Sequence, residues 1–181
     1  MSVFTNPADG GPQQAAAYIR AVLDLLGERD PMQVLRTTGG ALRQVVDGLT
    51  DAALITPEAP GKWSVRHVLR HLADSDLVWG WRLRLVLAQD RPPLTGYDQD
   101  AWAHGLGYEK DDAREALDEF EMLRASNLRL LRRASPEDLE RVGMHAERGE
   151  ESVAHMMRLY AGHDLLHLRQ IERIRAAVIN A

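Results

Sequence analysis

The sequence predicts an all-α chain, and three observations carry that reading. Apolar residues recur at helical spacings of three and four along most of the chain. The runs that could form strands are short and do not alternate. Asp, Ser, Pro and Gly fall where helix ends require them. The chain has 181 residues, 45% of them hydrophobic, which is enough apolar matter for one core. One domain over residues 1–181 is therefore expected.

Taken in order, a first helix is expected from Pro12 to Leu26, stopped at Gly27. Asp30 opens a second as N-cap, with Pro31 at its first helical position. Gly39 and Gly40 are expected to break that second helix. "TPEAPGK" reads as a loop. After it Ser64 caps a third helix running to about Gln89, and Trp63 and Val68 form a hydrophobic staple. The segment "DRPPLTGYDQDAWAHGLGYEKDD" is long and rich in Pro, Gly and aromatics, which suits a structured functional loop or a bundle crossover. From about Asp112 to Arg133 apolar positions repeat at Leu117, Phe120, Leu123 and Leu130, until Ser135 and Pro136 end the pattern. A last helix spans roughly Glu151 to Val178. No solenoid repeat or low-complexity tract interrupts this order.

Composition narrows the function. A formal charge of -5 gives no basic field for a phosphate backbone, although Arg82, Arg84, Arg129, Arg132 and Arg133 cluster locally. Nucleic acid is not an expected partner. The chain has no cysteine, so disulfides, thiolate metal sites and a cysteine nucleophile are excluded, and any thiol must come from outside. The N-terminus lacks a basic region followed by an apolar one, and no run of about 18 apolar residues occurs. No membrane partner is expected, and the protein reads as soluble and cytoplasmic.

The histidines carry the chemistry. In the last helix Val153, Met157, Tyr160, Asp164, His167, Ile171, Ile174 and Val178 form a regular inward seam, so Asp164 and His167 interrupt an apolar stripe. His163 lies one turn before His167 and about 40° off the stripe, at roughly 100° per residue. The pair could offer two imidazole nitrogens to one ion, or be two hydrogen-bonded core histidines. The third helix supplies His67 and His71. Relative to the stripe Val65, Val68, Leu72, Trp79, Leu83 and Val86, His71 lies about 110° away and His67 about 150°, so His71 is the one nearer the core. His67, three residues after Ser64, reads as a surface or capping residue. His155, His104 and His145 are expected to face solvent. "HDLLH" is similar to the HExxH helix of zinc peptidases, but Asp164 is shorter than Glu and no third ligand follows. Asp164 is expected either to orient a ligand imidazole or to pair with an arginine across the core. No GxSxG, P-loop or GxGxxG motif is present. The tryptophans Trp63, Trp79 and Trp81 read as core or staple, and Trp102 as a pocket residue.

Together "GKWSVRHVLRHLADSD", "YDQDAWA" and "AGHDLLHLRQI" resemble the DinB/YfiT-like superfamily, over roughly residues 31 to 178. The resemblance implies a four-helix bundle, here with an additional N-terminal helix within residues 1–30 and the long loop between bundle helices two and three. It implies His71, His163 and His167 as ligands of a divalent metal, zinc or nickel. Three neutral imidazoles leave coordination positions open, as in catalytic sites. Such an ion could make hydroxide for hydrolysis or activate an external thiol. The expected function is therefore a metal-dependent small-molecule enzyme, a thiol S-transferase or a hydrolase, whose thiol would be a low-molecular-weight one. Arg82, Asp98 and Trp102 are candidates for the substrate-binding rim. A homodimer is expected by the same resemblance. The competing readings are a metal-binding or dimerisation bundle without catalysis, serving a stress response, and a structural bundle with satisfied core histidines.

Overall fold

A computed structural model describes residues 11–179; the first ten residues of the N-terminal extension lie outside the described residues. Helix α1 covers Gly11–Leu26 and ends at Gly27, whose φ of 57° suits a residue without a Cβ. Helix α2 covers Pro31–Asp47, where the Asp30 side chain accepts from the Met32 amide. The expected break at Gly39 and Gly40 does not occur. Thr38, Leu42, Val45 and Val46 bury one face across the glycine pair, and Gly39 gives room to Glu121, whose Cγ would lie 3.2 Å from an added Cβ. Packing there outweighs the roughly 1 kcal/mol that each glycine costs a helix.

Short α3, Asp51–Ile55, precedes α4, Val65–Ala88. Ser64 is the N-cap residue of α4, but its hydroxyl bonds His67 Nδ1 at 2.8 Å and makes no cap bond to a backbone amide. Trp63 packs on the core cluster that holds Val68. The long connection is structured: β1 is Pro93–Leu94, α5 is Gln99–Gly105 and a 3-10 turn covers Tyr108–Lys110. Helix α6 covers Ala113–Leu131 and α7 Pro136–Glu140. Strands β2, Val142–His145, and β3, Gly149–Ser152, lead into α8, Val153–Ile179.

Three short strands among the described residues accompany the mostly helical fold that the sequence predicts. β1 pairs in parallel with β2, which pairs antiparallel with β3. Their sequences, two to four residues of mixed polarity, carry no alternation to read. Gly143 lets the sheet lie close to α4, since a Cβ there would meet Leu94 Cδ1 at 2.6 Å and Val86 Cγ2 at 2.8 Å.

Helix α2 packs on α8 and α6, and α4 packs on α6 and α8, so consecutive α2 and α4 occupy diagonal corners of a four-helix bundle. Helix α1 lies outside it against α8. The core has two apolar halves. One gathers Leu42, Leu69, Leu72, Phe120 and Ile171; the other gathers Leu35, Trp79, Leu83, Leu128 and Met157. A buried polar belt crosses between them, formed by Asp74, Ser75 and Asp76 of α4, Arg124 and Asn127 of α6, and Asp164 and His167 of α8. Arg124 and Asn127 fill inward positions of α6, while Leu123 and Leu130, expected inward, are only half-buried. No helix among the described residues is long and apolar enough to cross a membrane.

Candidate metal centre

The belt brings three histidines together. His71 sits two turns into α4, and His163 and His167 sit one turn apart on the adjacent α8. Nε2 of His163 lies 3.1 Å from Nε2 of His71 and 3.1 Å from Nε2 of His167. All three ligand atoms lie within 4.8 Å of one another. Imidazole nitrogens held 2.0–2.1 Å from a tetrahedral zinc are about 3.3 Å apart. The observed spacing matches that scale.

Hydrogen counting tests whether these residues suit a cation. His167 Nδ1 lies 2.8 Å from Gln170 Oε1, an acceptor, so Nδ1 carries the hydrogen and Nε2 presents a lone pair to the other rings. One imidazole N–H on His163 cannot donate to both neighbours, and His71 Nδ1 is buried without a partner among the described residues. The cluster is thus short of hydrogens and rich in lone pairs, an arrangement a divalent ion satisfies. Charge points the same way. Burial, then the neighbouring His167, holds His71 well below the ordinary histidine value, and burial with both other histidines does the same to His163. His167 is pushed down to about 4 by burial, against the opposing pull of Gln170 and Asp164. All three are neutral at pH 7 and ready to coordinate.

Two cavities reach the histidines. One of about 80 Å³ adjoins His71 and His163 and is lined by Tyr18 of α1, Ser75, Arg82, Tyr97 and Arg148. Another of about 360 Å³ reaches His167 and Gln170, beside Trp63 and Arg173. Gln99 borders both. Ser75 Oγ lies 2.8 Å from the Tyr97 hydroxyl and 3.4 Å from His71 Nε2, so a hydroxyl chain runs from the loop to His71. Burial raises Tyr97, Tyr160 and Tyr18 above the ordinary phenol value, which leaves each a hydrogen-bond donor at neutral pH.

The other sequence candidates divide. Arg82 lines the smaller cavity as expected. Asp98 is engaged as the N-cap of α5, accepting from the amides of Asp100 and Ala101 at 2.9 Å. Trp102 packs on Tyr97, with ring centroids 4.6 Å apart, and so backs the wall of the cavity. Asp164 makes no hydrogen bond to a ligand ring; Arg124 binds it at two points, and Gln170 orients His167 instead. Of the two roles expected for Asp164, the arginine pair is the one observed. His104 is exposed and His155 half-buried. His145, expected at the surface, is 3% exposed on β2, where burial pushes it down to about 4. Sequence reading missed Gln170, Ser75, Tyr97 and Arg148. Gln170 was findable, being three residues beyond His167 on one helix face; Arg148, in a hairpin turn, carried no signal.

The signature of the DinB superfamily matches residues 35–171. The chain is 35% identical over 130 residues to OB0782 of Oceanobacillus iheyensis, covering 72% of this chain and 75% of that one. It is 30% identical over 144 residues to YfiT of Bacillus subtilis, covering 79% and 81%. The names of both assign them, by inference, to the metal-dependent hydrolases. The solved structure of YfiT superposes with a TM-score of 0.74 at 29% identity, covering 80% of this chain and 83% of that one; it is described as an unusual four-helix bundle.

Proposed function

The chain belongs to the DinB superfamily, and from that premise we propose that it is a metal-dependent enzyme hydrolysing a small molecule at His71, His163 and His167. The convergence of three neutral Nε2 atoms carries this reading, because three protein ligands leave positions open for substrate. When bound, zinc or nickel supplies Lewis acidity and a nucleophile available at neutral pH. The chain's own residues do the rest. Gln170 fixes the His167 tautomer, the Ser75–Tyr97 pair lies beside His71 to donate a hydrogen bond, and α1 with the 95–105 segment limits the entry of water. Arg82, with Asp98 and Trp102 holding the loop behind Tyr97, forms the substrate wall. We place the protein in the cytoplasm, in keeping with its lack of cysteine, with neither nucleic acid nor membrane as partner. Leu77 and Trp81, one turn apart on α4 and 49% and 62% exposed, offer an apolar face for a homodimer.

Elemental analysis of untagged protein is the first test. About one zinc or nickel per chain, lost in His71→Ala, His163→Ala and His167→Ala but kept in His155→Ala, supports the site. Absence of metal after incubation with either ion at neutral pH rejects it. Ester and amide hydrolysis with and without a low-molecular-weight thiol then separates a hydrolase from the thiol S-transferase. No turnover with metal bound leaves the non-catalytic metal-binding bundle of a stress response. Sedimentation at micromolar concentration reads the dimer.

A further inference from the structure

One charge in the smaller cavity has no counterion among the described residues. Arg82 is 4% exposed, yet among the described residues no carboxylate lies within ion-pairing distance of it. Its Nη2 donates to the Thr95 carbonyl at 2.5 Å, its Nη1 lies 3.4 Å from the Tyr160 hydroxyl, and its Nε is buried with no partner among the described residues. The neighbouring guanidinium, Arg148, is neutralised by Glu151 through bonds of 2.5 and 2.9 Å. Glu151 is near enough to feel Arg82 as well, so two cations share one buried carboxylate. His145 adds no charge but a second unpaired donor: its Nδ1 accepts from the Glu147 amide at 3.2 Å, which puts the hydrogen on the buried, partnerless Nε2. A buried cation without its partner is costly to a fold. It is tolerable where a bound anion completes the balance.

The cavity beside it fits that role. It is lined by Arg82 and by the Tyr18, Tyr97 and Tyr160 side chains together with His71 and His163, and its 80 Å³ admits a head group and little more. We infer that this cavity is an oxyanion subsite: the substrate carries a carboxylate or phosphate group that docks against Arg82 and the tyrosine hydroxyls, next to the three histidines. The inference rests on the metal-enzyme reading for its substrate, but not for the binding of the anion itself. Arg82 is then a substrate-binding residue that orients the molecule, and neutral analogues of the substrate lose that anchor.

The test uses metal-free wild-type protein at pH 7.5 and matched ionic strength, melted in increasing acetate, inorganic phosphate, or acetamide, the neutral isostere of acetate. Acetate or phosphate is expected to raise the melting temperature saturably and acetamide to leave it unchanged; a response to only one of the two anions identifies which group the subsite takes. Arg82→Gln is expected to raise the half-saturating concentration at least tenfold while leaving zinc or nickel stoichiometry intact. Equal effects of acetate and acetamide, or an unchanged half-saturation in Arg82→Gln, overturn the subsite. If Arg82→Gln does not fold, Tyr160→Phe is expected to weaken the same anion about threefold, and no change there overturns it. Because the protein is metal-free, these outcomes are separate from the elemental analysis: a chain that never binds metal can still show the anion, and the reverse.

Discussion

Arg124 holds the carboxylate of Asp164 at two points, Nη1 to Oδ2 at 2.5 Å and Nη2 to Oδ1 at 2.9 Å, one residue along α8 from His163. The same guanidinium reaches Asp76 of α4 through Nε at 3.0 Å and the Leu35 carbonyl of α2 at 3.1 Å. Arg124 itself belongs to α6, so one side chain ties together all four helices of the bundle. The Phe120 and Trp79 rings flank it, with centroids 4.7 and 5.5 Å from its central carbon. This fixes α8 against α4, the two helices whose relative position sets the spacing of the histidines.

Removing that guanidinium leaves two buried carboxylates unpaired. Arg124→Met should therefore cost about 3–5 kcal/mol, the range for breaking a buried ion pair from one side. Chemical denaturation measures it. A loss below about 1 kcal/mol would mean that Asp76 and Asp164 take up protons or water easily, and would demote Arg124 from its role in registering the helices.

Acid should destabilise the metal-free protein. His167 titrates at about 4 when folded and near 6.5 when unfolded, so below pH 6.5 the unfolded chain takes up the proton first. Stability is fully present above pH 6.5 and falls as the pH drops toward 4, by roughly 3 kcal/mol for this residue. His71 and His163 act in the same sense. Asp76, raised to about 6 by burial against the pull of Arg124, acts in the opposite sense, since its folded form accepts a proton earlier than the unfolded chain does. Three histidines against one carboxylate give a net loss. Melting temperatures of metal-free protein between pH 7.5 and 4.5 report it, and a flat profile would contradict the neutral, buried state of the histidines.

The inward seams of α4 and α8 were legible because long helices repeat their pattern: Val65 to Val86 and Val153 to Ile174 are buried as their spacing indicated. His71 could be preferred over His67 by the same geometry. The polar belt was not legible, because Arg124 and Asn127 look like solvent residues until Asp76 and Asp164 arrive from other helices. The buried state of His145 and the role of Arg148 depend on a short sheet that joins a local hairpin, β2–β3, to the distant strand β1. Gly39 and Gly40 misled in the opposite direction, since local propensity yields to the burial of Thr38, Leu42, Val45 and Val46 on one face of α2, and α6 packs closely at Gly39.

Gln170 is the residue that would orient His167 toward a metal. Its Oε1 holds the His167 Nδ1 hydrogen, and replacing such a partner usually costs 10–100-fold in metal affinity. Gln170→Ala should weaken zinc or nickel binding by that factor in a competition titration with a chromophoric chelator, with little change in fold. Gln170→Glu, which keeps the acceptor, should bind at least as well as wild type. Equal losses in both variants would point to packing instead of tautomer control.

The last prediction concerns the outer helix. Gly162 precedes His163, and a Cβ there would lie 2.6 Å from Val22 Cγ1 and 2.9 Å from the Val22 carbonyl carbon of α1. The obstacle includes backbone, which cannot rotate away, so α1 must lift for any side chain to fit. In an exposed helix interior, glycine to alanine stabilises by about 1 kcal/mol. Here the sign should invert: Gly162→Ala is expected to destabilise by roughly 1–3 kcal/mol, as overpacked cores do. Lifting α1 withdraws Tyr18 from the cavity but leaves α4 and α8 in place, so metal stoichiometry should hold while hydrogen exchange in Gly11–Leu26 accelerates. Stabilisation by Gly162→Ala would show that α1 is only loosely seated on α8, and that the cavity beside His71 and His163 is open on that side.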